Sequence, residues 1–390
     1  MSNGFALAAL LPLAAAGGWY MGRQWAIRRA GQRVSRLSTT YFRGLNYLLN
    51  EQPDKAIELF LQIAHVDHDA VETQIALGHL FRRRGEVERA IRLHQGLISR
   101  NGISDEHKVL ALLELGEDYM RAGLLDRAET LFTDLVRLDG NQDKALRHLL
   151  AIYQFERDWP KSIEFARRLE EVTGESCARL IAHFYCEMAE QERRRGDIAG
   201  ARSRLTQASG ADPHSVRAGM LEAAFDANEG NPHAAVRTYE RIARIEPDYL
   251  PEILPPLLNC YAQCGESERA HAFLSEMIER HQGVAPILAM TKWLEDHEGA
   301  ESARGFLSAR LRERPSVRGQ AALIELARAQ DTAATPALLD VLHESTTDML
   351  KRAPGYRCNR CGFSARAHHW QCPGCRSWGT VMPVLGLSLE

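Results

Sequence analysis

The feature that most constrains this chain is a motif that recurs about every 34 residues, from near Leu37 to near Pro315. Three small-then-aromatic pairs mark it first: Gly44/Tyr47, Gly78/Phe81 and Gly116/Tyr119. Each glycine is followed twelve residues later by an alanine, at Ala56, Ala90 and Ala128. Further on, Gly196, Gly230, Gly265 and Gly299 keep the spacing at 34, 35 and 34 residues, and Pro213, Pro247 and Pro315 fall in the same phase. A sustained period of this length is the signature of a solenoid of helical hairpins, and 34 is the tetratricopeptide period. The small residues belong where two antiparallel helices approach most closely, because a larger side chain would separate the axes. Glycines at 85, 123, 196, 230 and 265 stop the first helix of a pair, and Glu86, Asp197 and Glu266 follow to favour the next N-terminus. An ordinary bundle has no cause to repeat Gly, Ala and Pro in register. The expected fold class is all-α, a tetratricopeptide-repeat solenoid of about eight repeats over 37–315, with capping helices over 316–352.

Repeat four departs from the pattern. Leu150 stands at the small position, Tyr153 keeps the aromatic, and Trp159-Pro160 is expected to replace the glycine turn. The run Arg82-Arg83-Arg84 reads as a solvated helix end that suits the C-terminal dipole. Chemistry inside the array is sparse. Cys260 and Cys264 share one helical face and could both reach a metal, although free cysteine is ordinarily a small buried hydrophobe. No Gly-rich phosphate loop, HExxH or nucleophile elbow occurs. The chain is therefore read as a non-enzyme, with no catalytic and no cofactor-binding residues, and with a concave helical face suited to polypeptide.

The ends carry separate signals. Residues 1–22 contain no charged side chain, and Gly4–Gly22 would span about 28 Å as a helix, enough to cross a bilayer core. Trp19, Tyr20 and Trp25 suit an interfacial belt, and Arg23, Arg28, Arg29, Arg33 and Arg36 follow. A cleaved signal peptide would carry its basic residues before the apolar run instead. The reading is a retained single-pass transmembrane anchor (1–22), then a basic juxtamembrane segment (23–36), with the bulk of the chain on the cytoplasmic side.

At the C-terminus, over 353–390, Cys358 and Cys361 form one CxxC and Cys372 and Cys375 a second, ten residues apart. Two such knuckles supply four thiolates for tetrahedral coordination and leave no open position for a substrate water. Zinc is the expected metal, with iron as the rival because the same ligands hold iron in rubredoxins. A segment this short does not bury enough core to fold well unaided, so the metal would be structural. The tail is basic: Lys351, Arg352, Arg357, Arg360, Arg366 and Arg376 oppose only Glu390. A nucleic-acid module with Phe363, Trp370 and Trp378 as stacking faces is one alternative, and an iron redox carrier is another. The preferred reading docks these aromatics on the last helices and expects no nucleic acid.

Anchor, repeat array and YRCNRCGF…WQCPGC knuckles, in that order, resemble the lipopolysaccharide assembly protein B family of Gram-negative bacteria over essentially the whole chain. Arg376 departs from the rubredoxin pattern, which usually has glycine after the last cysteine. The resemblance implies a non-enzymatic inner-membrane adaptor that modulates lipopolysaccharide synthesis. It would bring the deacetylase that commits to lipid A to a membrane-anchored AAA+ protease. It would also communicate with a membrane regulator of lipopolysaccharide level, and link to lipopolysaccharide assembly.

Overall fold

The computed structural model describes residues 42–44, 46–47, 52–66, 71–138, 142–328 and 336–384, together with Met21. The expected anchor (Met21 apart) and the basic segment after it lie outside the described residues. Among the described residues no helix is long and apolar enough to cross a membrane. The chain divides into two compact units, Met1–Arg157 with Glu171–Thr173, and Asp158–Glu170 with Gly174–Glu390.

The first unit holds α1 (Pro53–Val66), α2 (Val71–Arg83), α3 (Val87–Ile98), α4 (Asp105–Ala122), α5 (Leu125–Arg137) and α6 (Gln142–Glu156). Each packs on the next in a stack of antiparallel pairs. The boundaries follow local chemistry. Ser104 caps α4 by accepting from the His107 amide, and Gly123 ends it with φ +77°, a left-handed conformation that glycine adopts without a Cβ penalty.

The repeated glycine has a specific partner, an aromatic ring sixteen residues later on the following helix. A Cβ at Gly44 would stand 2.8 Å from the Phe60 ring, at Gly78 2.3 Å from His94, and at Gly116 2.6 Å from Phe132. The alanines twelve residues on, Ala56, Ala90 and Ala128, are each 0% exposed, so the closest helix approach is fixed by a notch and a small neighbour.

Two expectations are corrected. Arg82 is not a solvated helix end. It is buried and donates to Asp118 Oδ1 (2.7 Å), Glu114 Oε2 (2.6 Å) and Glu117 Oε2 (2.8 Å) on α4. Asp118, 0% exposed, also lies 2.6 Å from His94 Nδ1, so a charged network joins three helices inside this unit. The glycine of the fourth turn is replaced by Arg157, which takes φ +59°, and not by Trp159-Pro160. Asp158 and Pro160 instead start the next helix, with Asp158 accepting from the Lys161 amide.

The second unit begins with α7 (Trp159–Thr173) and continues through α8 (Ala178–Arg194), α9 (Ile198–Ala211), α10 (Val216–Asn228) and α11 (Pro232–Ile245). A short 3-10 turn (Pro247–Tyr249) leads to α12 (Leu250–Cys264), then α13 (Ser267–Arg280), α14 (Ala285–Glu298), α15 (Ala300–Glu313), α16 (Val317–Arg328) and α17 (Pro336–Arg352). Its largest core runs from Val216 to Leu326, with Leu250, Leu257, Tyr261, Leu274 and Leu307 almost wholly buried. Each such side chain contributes about 1.5–3 kcal/mol by burial. The chain ends in a three-stranded antiparallel sheet of order β2-β1-β3: β1 (Tyr356–Cys358), β2 (Ser364–Ala365) and β3 (Val381–Pro383). Arg357 pairs with Ser364 on one side and Met382 on the other.

Candidate metal centre and its docking face

Two CxxC knuckles build the site, each at the tip of a hairpin. In the first, β1 turns into β2 as the Gly362 amide donates to Cys358 O (2.9 Å) and the Cys358 amide to Phe363 O (2.8 Å). In the second, the Arg376 amide donates to Cys372 O (2.8 Å) and the Cys372 amide to Ser377 O (2.8 Å), while Gln371 bridges to Trp378. The two turns need the same left-handed residue. Gly362 supplies it in one with φ +74°, and Arg376 supplies it in the other with φ +56°. The departure from the rubredoxin pattern therefore leaves the knuckle geometry intact, at a backbone cost of about 1 kcal/mol.

The structure brings all four expected cysteines together, with their sulfurs within 4.8 Å of one another. Cys358 Sγ lies 3.8 Å from Cys375 Sγ, and Cys361 Sγ 3.7 Å from Cys372 Sγ. A tetrahedron of thiolates about 2.3 Å from zinc has edges of about 3.8 Å, so this donor set fits a tetrahedral ion. The edge length selects the geometry and not the element. Electrostatics agree with the fit. The Thr380 hydroxyl, with the amides of Cys361 and Arg360, holds the Cys358 thiol down at about 6. Hydrogen bonds from the Ser377 hydroxyl and amide lower Cys375. The Phe363 amide favours a Cys361 thiolate, but partial desolvation and the three neighbouring sulfurs outweigh it and push that thiol up to about 12. A shared cation is what allows all four to ionise together.

The aromatics that flank the knuckles face the helices of this unit. Trp378 stacks on His183 of α8 (ring centroids 5.2 Å, 26°) and meets Trp159 of α7 and Phe184 of α8 edge-on at 6.1 and 6.0 Å. Trp370 stacks on Tyr249 (5.5 Å, 21°), and the Tyr356 hydroxyl donates to the Glu252 carboxylate on α12. Phe363 packs inside the ribbon beside the cysteines. The ribbon docks, but on α7, α8 and the turn at Tyr249 and not on the last helices as expected, because the buried rings that receive Trp378 and Trp370 lie there. Phe363 stays inside the ribbon, and both tryptophans lie against protein rings instead of standing open as stacking platforms for bases.

Between the two tryptophans lies Arg217 of α10, only 3% exposed. Its guanidinium carbon stands 5.9 Å from the Trp370 ring and 5.6 Å from the Trp378 ring. Arg217 Nη2 donates to Glu187 Oε1 (2.8 Å) and pairs with Glu190 Oε2 (3.3 Å) on α8. His183, buried next to this cation, is brought down to about 3, by desolvation first and then by Arg217, Arg179 and His368, so it is a neutral ring at cellular pH. Gly379 (φ +61°) closes the contact, since a Cβ there would stand 3.3 Å from His183 Nε2. Sequence reasoning misses Arg217, His183, Tyr249 and Glu252. The one available signal is an arginine set in the otherwise apolar VRAGML, the pattern of a buried charge with a partner. Of the pair on α12, Cys260 is buried as expected and Cys264 is half-buried; neither belongs to this centre.

Residues 356–383 match a family described as a rubredoxin metal binding domain, residues 75–101 a tetratricopeptide repeat family, and residues 257–281 a PPR repeat family. The chain is 37% identical over 380 residues to lipopolysaccharide assembly protein B of Escherichia coli K12, covering 97% of both chains. It is 34% identical over 385 residues to the protein of the same name from Haemophilus influenzae, covering 96% of this chain and 97% of that one. A crystal structure of a tetratricopeptide repeat protein from Parabacteroides merdae is a weaker likeness, with a TM-score of 0.32 and 12% identity, covering 80% of this chain and 98% of that one.

Proposed function

The chain belongs to the lipopolysaccharide assembly protein B family, and from that premise we propose a role in lipopolysaccharide assembly as a non-enzymatic adaptor at the cytoplasmic face of the inner membrane. In this reading the repeat stacks hold a cytosolic client, the deacetylase that commits to lipid A. The N-terminal segment tethers that client beside a membrane-anchored AAA+ protease and a membrane regulator of lipopolysaccharide level. Tethering turns a three-dimensional search into a local one by raising effective concentration, so turnover rises without any chemistry performed by the adaptor itself. Cys358, Cys361, Cys372 and Cys375 hold zinc in preference to iron, and a closed four-thiolate shell makes that ion structural. Its chemistry is to crosslink the knuckles and offset part of the charge of the four thiolates. The chain's own residues then orient the ribbon, through Trp370, Trp378 and Arg217.

The single observation that carries this reading is the docked ribbon, on a chain whose likeness to the family runs over nearly its full length. A ribbon clamped to the helices extends the binding surface as one piece, which suits a scaffold that presents a client. The test is deletion of residues 1–22, followed by measurement of deacetylase half-life in cells. A lengthened half-life is expected, and an unchanged one refutes the tether. Purified protein is expected to be colourless; red material that bleaches on reduction would favour iron.

A further inference from the structure

The second unit carries another set of metal-ligating side chains, on the edge formed by its turns. Asn231 caps α11 by accepting from the Ala234 amide, which places His233 in the first turn of that helix. Cys264 is the last residue of α12, Gly265 reverses the chain with φ +69°, and Glu266 opens α13. His233 and Glu266 are 33 residues apart, one repeat period, so stacking of successive hairpins brings the two turns together. His233 Nδ1 lies 3.0 Å from Glu266 Oε1, and one imidazole nitrogen of His233, one carboxylate oxygen of Glu266 and Cys264 Sγ fall within 4.8 Å of one another.

The chemistry of these donors is selective. Imidazole, thiolate and carboxylate together suit a borderline divalent ion of the zinc class, whereas calcium and magnesium require oxygen alone. The carboxylate is already oriented. Glu266 Oε2 accepts from Arg269 Nη1 (2.9 Å), and Arg269 is itself held by Nε donating to Glu240 Oε1 (2.8 Å). That leaves Oε1 directed to the His233 side, with the outer support that metal-binding carboxylates characteristically have. Tetrahedral donors around zinc are about 3.3–3.8 Å apart, a separation that the half-buried Cys264 and the His233 side chain reach by a shift of about 1 Å. Cys260, one turn back on α12, is buried and stays outside the set.

The geometry points to a second metal site, in which His233 Nδ1, Cys264 Sγ and Glu266 Oε1 bind a zinc-class divalent cation. Three protein donors leave a fourth position for water or for a donor from another protein, so this site is exchangeable where the ribbon centre is closed. Binding releases the thiol proton of Cys264 and any proton on the His233 nitrogen to solvent, and involves no redox step.

The experiment counts metal on the full chain in detergent, with the ribbon cysteines intact. Protein is equilibrated with tens of micromolar zinc, freed of unbound ion, and analysed by mass spectrometry for bound metal. Two equivalents per chain are expected for the unmodified protein and one for Cys264→Ser and for His233→Ala. Cobalt(II) titration should show a strong band from the four-thiolate centre, then a weaker thiolate-to-cobalt band that Cys264→Ser removes. Arg269→Gln is expected to weaken the second equivalent on the order of tenfold. One equivalent in the unmodified protein overturns the proposal, as does a second equivalent that survives both Cys264→Ser and His233→Ala.

Discussion

Replacing Trp378 with alanine isolates docking from metal binding, because the indole lies outside the sulfur cluster but carries the largest share of the ribbon's contact with α7 and α8. The ring stacks on His183 and meets Trp159 and Phe184 edge-on, and Arg217 stands over its face. Tryptophan-to-alanine changes in full cores cost about 3–5 kcal/mol. Trp378 is half-buried, which places it at the lower end. Three aromatic pairs at about 0.5–1.5 kcal/mol each and a shielded cation–π contact at about 1 kcal/mol give the same scale. A loss of about 3 kcal/mol lowers the docked-to-undocked ratio by about two decades. The assay is protease cleavage in the 353–355 linker, which opens when the ribbon leaves the helices. Cleavage should accelerate on the order of a hundredfold while the bound metal stays at one equivalent in the ribbon. Cleavage at the unmodified rate would refute the seam as the source of docking. Loss of the metal would show instead that Trp378 helps fold the knuckle.

Three further outcomes follow from the same geometry. Cys358→Ser or Cys372→Ser, or removal of the metal by a chelator, should unfold the ribbon and abolish complementation in cells, and full complementation would contradict the structural role. His183 titrates in the unfolded chain near 6.5 but in the folded one only near 3, so its contribution to seam stability is complete above about pH 6.5 and is lost as the pH falls. By pH 4.5 that amounts to about 2–3 kcal/mol, and His183→Gln should flatten this limb of the ribbon's acid release, followed by tryptophan fluorescence. Arg82→Met leaves the buried Asp118 carboxylate with His94 alone, a loss of about 3–5 kcal/mol that thermal melts of the first unit should register and that added Asp118→Asn should partly restore.

What could be read from the sequence alone was what local spacing encodes. The period, the turn glycines and the paired CxxC motifs each arise from constraints within a few residues: a helix that must stop, an approach that must stay narrow, two thiolates that must share an ion. The four cysteines that the structure brings together were therefore legible to the residue. Arg82 was not, because its acceptors lie 32 to 36 residues downstream and an arginine at a helix end has the same local appearance whether solvated or buried. Arg157 was missed because a left-handed turn ordinarily advertises itself by glycine, and here it does not. The tryptophans suggested docking, but their receiving surface is assembled from α7, α8, α10 and the turn at Tyr249, which no single stretch displays.

The pairing of each repeat glycine with a ring sixteen positions later limits how such an array diverges. Enlarging the glycine at 78 or 116 alone drives a methyl into an aromatic edge, and trimming His94 or Phe132 alone opens a void in a fully covered layer. Either step by itself costs stability, so these positions are expected to change jointly or stay untouched. Residues that look unremarkable one at a time thus become a linked locus, in which the history of one hairpin is written across two helices.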